Sequence, residues 1–209
     1  MKIALQFLLT LAVACALVGC GASRARHTDD HLVVYSTDRN LGSTTLGPQL
    51  ILGAWPDGTV IWSENRLNGG SPYYTATVKP EVLAEALQAL KARGFFRDGN
   101  HSYYGPDSQC TSIAVRTGDD YVELHSWHEL FEQGGLGIGE HFGLTDLDSR
   151  NFYDTIANQP REHLLFRLRW YDARMAASHL RPAVGKPTSG SLVIENDVAT
   201  WKHGPEDGG

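Results

Sequence analysis

Residues 111–117 (TSIAVRT) and 121–126 (YVELHS) constrain the fold more than any other part of the chain. Only Gly118, Asp119 and Asp120 separate them. A two-residue connection with Gly first matches a type II′ turn, whose twist suits a β-hairpin. Such a turn, over Gly118-Asp119, sets Thr117 opposite Asp120. Counting back sets Val115 opposite Val122 and Ile113 opposite Leu124, and these four make one apolar face. The other face carries Arg116 with Tyr121, Ala114 with Glu123, and Ser112 with His125. A slip of one residue would mix the faces, so burial pins this register. His125 therefore stands on the polar side.

The same logic extends along the chain. Residues 31–36, 49–55, 59–64 and 73–78 have strand character. Pro56-Asp57-Gly58 joins the second and third, with Gly at the position that needs φ > 0. Pro80 opens a helix whose Leu83, Leu87 and Leu90 repeat at i, i+4, i+7. Gly94 stops it, and Phe95 and Phe96 then enter the core. Residues 149–159 are helical in pattern, and a longer helix runs from Pro160 to about His179. On it, Leu164, Leu168, Tyr171 and Met175 are expected on the buried side. His163, Arg167 and Arg174 line another face, with Arg161, Arg169 and Arg181 nearby. This is the densest positive charge in the chain, expected as a solvated face. It is also the binding candidate for an anionic partner such as lipid headgroups or glycan phosphates. A last hairpin turns at Asn196-Asp197. The expected fold class is α+β: an antiparallel sheet of about five to seven strands built from hairpins, with two or three helices packed mainly on one face. One domain spans residues 31–203, and residues 204–209 form a loose tail.

The first twenty residues differ in kind. Lys2 precedes an apolar run from Ile3 to Gly19, and no acidic residue occurs before Asp29. This is the layout of a secretory signal, removed before folding. It ends in Leu17-Val18-Gly19-Cys20, which resembles the lipobox of bacterial lipoproteins. The resemblance covers the leader alone. It implies a signal peptide over residues 1–19, cleavage before Cys20 and acylation of the Cys20 thiol, with residues 20–30 as a tether. Several acyl chains hold a protein firmly on a bilayer, at ~0.8 kcal/mol per buried CH₂. Gly21 stands where an Asp would signal inner-membrane retention in some bacteria. The expected place is therefore a cell membrane, and in a two-membrane cell the outer membrane, facing the periplasm or the cell surface. With Cys15 removed and Cys20 acylated, Cys110 is left without an intramolecular disulfide partner.

The net charge of -6 and the lack of a basic cluster speak against nucleic acid as a partner. Glycine-rich phosphate loops and the common nucleophile motifs are absent from the sequence. The segment HSWHELFEQGG, residues 125–135, comes one letter short of H-E-x-x-H. A metal there would take His128, Glu132 and a third ligand such as His141. Against this, Ser126 and Glu129 have capping-box spacing, and Gly134-Gly135 would end the helix after about two turns. The reading is therefore no metal, no cofactor and no catalytic residue. The expectation is a lipid-anchored envelope module, bound to the membrane through Cys20, that binds or supports an envelope protein or glycan. The alternative is an envelope-polymer hydrolase, with or without a metal, built around His125, His128, Glu129, Glu132 and Cys110.

Overall fold

The computed structural model describes residues 28–37, 47–103, 110–127 and 161–204. The protein is α+β, as its hairpin pattern implies. In chain order come β1 (His31–Thr37), β2 (Gln49–Ala54), β3 (Thr59–Ser63), β4 (Tyr73–Thr77), α1 (Pro80–Ala92), β5 (His101–Tyr103), β6 (Cys110–Thr117) and β7 (Asp120–Trp127). They are followed by α2 (Arg161–Leu180), β8 (Lys186–Thr188), β9 (Gly190–Glu195) and β10 (Val198–His203). The main sheet runs β5-β7-β6-β1-β2-β3-β4-β8, and β9 and β10 form a separate ribbon. Seven of the main-sheet strands pair antiparallel. Only β5 joins in parallel, against β7. The edge strands β5 and β8 have three residues each, too short for an alternating pattern to reveal them.

The β6–β7 register is the one its turn dictates. Thr117 faces Asp120, Val115 faces Val122, Ile113 faces Leu124 and Ser112 faces His125. Gly118 takes φ 61, as the first position of a II′ turn requires. Between β2 and β3, Gly58 takes φ 89, and a Cβ there would lie 2.2 Å from the Val78 carbonyl oxygen. Glycine is thus required twice over at that turn.

Helices cover one face of the sheet and the β9–β10 ribbon covers the other. On the helix side, Leu32, Val34, Leu52, Val60, Ile113 and Leu124 pack against Leu83, Leu87 and Leu90 of α1 and Phe166 and Trp170 of α2. On the ribbon side, Val33, Tyr35, Leu50 and Ile61 pack against Leu192, Ala199 and Trp201. A bulge between β1 and β2 serves this division. Val34 faces Leu52, yet Tyr35 faces Leu50, so Ile51 is the extra residue. Leu50 consequently joins the ribbon-side core, while Ile51 and Leu52 both join the helix-side core.

Two expectations need correction. First, α2 is rolled differently from the predicted stripe. Its buried line is Phe166, Trp170, Ala173, Ala177 and Leu180, whereas Leu168 is 54% exposed and Met175 is also exposed. Both stripes have helical spacing. The buried one carries the two largest aromatics, and its two alanines let the helix settle close to the sheet. Trp170 is fully buried. Second, Ser126 does not start a helix: it lies buried in β7, which continues through Trp127 paired with Cys110. The strand ladder overrides the local capping signal there. The predicted helix at 149–159 lies outside the described residues, as do the tail 205–209 and the tether up to residue 27.

Trp170→Ala should cost about 3–5 kcal/mol of unfolding free energy, the loss expected for a buried Trp. Leu168→Ala should stay within about 0.5 kcal/mol, as surface changes do. Urea unfolding of the two variants checks the roll of α2, because the predicted stripe would reverse the ranking.

Candidate functional site

Three rows of side chains cross the β1–β6–β7 end of the ribbon-side face. Pairing puts Tyr35, Ser112 and His125 in one row, Val33, Ala114 and Glu123 in the next, and His31, Arg116 and Tyr121 in the third. The Ser112 hydroxyl is 2.7 Å from His125 Nδ1. His125 Nε2 is 3.6 Å from Glu123 Oε2. The Tyr35 hydroxyl donates to Glu123 Oε1. Burial, then the negative charge of Glu123, pushes the Tyr35 phenol well above its ordinary range. The same two causes raise Tyr121.

Serine, histidine and a carboxylate in this order bring a nucleophilic triad to mind. Two facts of the fold argue against that use. Ser112 is completely buried. It also sits in mid-strand, and β6 pairs with β1 on one side and β7 on the other. Backbone N–H groups beside Ser112 are therefore engaged in ladders, whereas an oxyanion needs donors aimed at open space. The cluster is a cross-strand polar network. Its members satisfy one another within the buried ribbon-side face.

Cys110 is buried, with its sulfur 3.5 Å from the Ser126 carbonyl oxygen. His128, Glu129, Glu132, His141 and Cys20 lie outside the described residues. Among the described residues, no three His, Cys, Asp or Glu side chains gather as metal ligands.

The basic stripe also turns out differently from its expectation as a solvated face. His163 falls within α2, but Arg167 and Arg174 are buried. Burial, with Arg174 nearby, lowers the Arg167 pKa to about 10. Arg169 is a clamp: its Nε donates to the Phe95 carbonyl at 2.8 Å and its Nη2 to the Gly99 carbonyl at 2.7 Å. Its guanidinium carbon lies 5.3 Å from the centre of the Phe95 ring. Charge spacing alone could not show this, because an arginine stem packs as well on apolar surface as its head does in water.

On the ribbon side a cleft of about 520 Å³ lies between β10 and the β2–β3 turn. Sequence reasoning missed it, since it joins segments nearly 150 residues apart. Trp55 holds the two sides together. Its Nε1 donates to the Ala199 carbonyl at 2.8 Å. Its ring lies over Gly53, where a Cβ would stand 2.5 Å from the indole. Gly53 is thus the only residue type that leaves room for this Trp55 rotamer. With its N–H engaged, Trp55 offers the cleft an aromatic surface and no donor. Ile61, Ala199 and Trp201 extend the apolar lining, and Asp29 and Asp57 stand at its rim. Asp57 is held in place by the Thr59 N–H and hydroxyl, at 2.9 and 2.8 Å. A second groove of similar size lies between α1 and α2, bordered by the Arg93–Asp172 ion pair.

No protein-family model matches the chain, and a search of curated proteins finds nothing similar to it.

Two outcomes test the polar network. Tyr35→Phe removes the donor to Glu123 and should cost about 1.5–3 kcal/mol, the range for a hydrogen bond to a charged group. The second concerns His31, which is fully buried, with its Nδ1 2.8 Å from the Asp29 carbonyl oxygen. Burial holds its pKa below 6.5. The unfolded chain then binds the proton more readily, so stability is complete above pH 6.5 and falls as the pH drops below it. Urea midpoints measured from pH 7.5 to 5 should fall for the wild type and flatten in His31→Asn. An equal slope in both would show that His31 is not responsible.

Proposed function

We propose that this protein is a lipid-anchored binding module of the cell envelope, held by acyl chains on Cys20 and engaging its partner through the Trp55 cleft. The cleft carries the reading. It is concave, largely apolar, built on strands and pinned by a tertiary hydrogen bond, with a few fixed polar groups at its rim. These are the ordinary attributes of a ligand site. Its position also suits an anchored protein. Thr28 and Asp29 line it, and Thr28 is eight residues from Cys20. Eight extended residues reach less than about 30 Å, so the cleft would work close to the bilayer surface. The lipobox supports the lipid anchor. Among the described residues no helix is long and apolar enough to cross a membrane.

Mass spectrometry of the mature N-terminus should find Cys20 acylated and residues 1–19 gone. Cys20→Ser should keep the leader attached or release the protein from lipid. An unmodified mature N-terminus would contradict the anchor. For the cleft, partners captured from detergent-solubilised envelope by the wild type should be lost with Trp55→Phe, which deletes only the indole N–H and part of the ring. Equal capture by both forms would place the binding surface elsewhere.

A further inference from the structure

Among the described residues the β9–β10 ribbon has a free strand edge, and that edge opens into the cleft. In an antiparallel pair, alternate residues bond to the partner strand and the others point their N–H and C=O outward. Gly204 N–H bonds to the Ser189 carbonyl at 3.0 Å, which continues the β10–β9 ladder. This sets the phase: Val198, Thr200 and Lys202 face β9, and Ala199, Trp201 and His203 face away. The Ala199 carbonyl confirms it, because it accepts from Trp55 across the cleft. Trp201 and His203 then direct their backbone groups into the cleft that they line. Residues of both side-chain parities, Thr200 as well as Ala199 and Trp201, border this space. A strand face would present only one parity, so the cleft meets the edge of β10. Among the described residues β10 pairs with β9 alone.

From this we infer that the free edge of β10 takes an extended peptide segment bearing lysine or arginine, added as a further strand. The inference rests on reading the chain as a binding module that works through this cleft. Backbone pairing to Trp201 and His203 supplies the register, and side-chain pockets supply selectivity, as in other cases of strand addition. The charge preference follows from the lining. Asp29 and Asp57 stand at the rim, and among the described residues no lysine or arginine lines the cleft. The half-buried ring of Trp55, which lines the cleft, favours a cation over an anion as well. An acidic segment would meet two like charges there.

The probe is a synthetic hexapeptide, Lys-Thr-Lys-Val-Lys-Thr, added at millimolar concentration to the protein isolated with its native N-terminus. Two controls accompany it: the same peptide N-methylated at alternate residues, and one with Glu in place of each Lys. Residue-resolved amide exchange is the readout. In the free protein, Trp201 and His203 amides should exchange faster than those of Val198, Thr200 and Lys202. The lysine peptide should slow Trp201 and His203 by at least ~10-fold, since ladder bonds protect amides. Both control peptides should leave them unchanged. Slow exchange at Trp201 and His203 in the free protein would overturn the inference, since the edge would not be free. No slowing with the lysine peptide would overturn it, as would equal slowing with either control. Asp29→Asn/Asp57→Asn should weaken the effect of the lysine peptide without altering exchange in the free protein. Partner capture that depends on Trp55, together with an edge that ignores the peptide, would leave the binding module standing and remove only this inference.

Discussion

Strand β1 is buried on both faces, and the rest of the molecule is arranged to make that possible. Leu32, Val33 and Val34 have no exposed surface, and Tyr35 very little. Successive residues of a strand point to opposite sides. Four consecutive buried residues therefore require cover above and below the sheet. The helices supply one cover, and the β9–β10 ribbon supplies the other. Each large aliphatic residue buried this way contributes about 1.5–3 kcal/mol. A sheet with its second face open would lose several such terms at once.

On the ribbon side of the sheet, two further arrangements stand beside this apolar packing. At the β6–β7 end the sheet's own side chains become polar and bond to one another, as Ser112, His125, Glu123 and Tyr35 do. At the β2–β3 end Trp55 bridges sheet and ribbon through its bond to Ala199, and a cleft is left beside it. The polar network resembles catalytic machinery in composition but not in access. The cleft looks ordinary in composition but has access, a fixed shape and, among the described residues, a strand edge that pairs with no further strand. That contrast moves the functional interest from the Ser112–His125 network toward Trp55.

Local signals in the sequence were sufficient for much of this fold. The Gly118 and Gly58 turns set their hairpins, and in the β6–β7 case the turn set every cross-strand pair. Leu83, Leu87 and Leu90 correctly marked the inner face of α1. The sequence was ambiguous where two answers share one period. Leu164, Leu168, Tyr171 and Met175 are spaced like a core stripe, but so are Phe166, Trp170, Ala173 and Ala177. Tertiary packing chose the second set. For the same reason Arg167, Arg169 and Arg174, expected in water, lie inside. Ser126 shows the opposite failure, a sound local signal overruled by a ladder that extends through Trp127. The Trp55 cleft was not legible at all. It needs Gly53, Trp55 and Ala199 to meet in space, and spacing along the chain carries no trace of that.

The second face of β1 stays covered only if the ribbon is docked and latched by Trp55 rather than being an independent hairpin. Residue-resolved amide exchange of Trp55→Phe against wild type tests this most directly. Without the indole N–H, the Val198, Thr200 and Lys202 amides should lose at least ~10-fold protection, while the β1–β6 ladder keeps its own. Unchanged protection at those three residues would contradict the account, because the ribbon would then be held by something other than its latch.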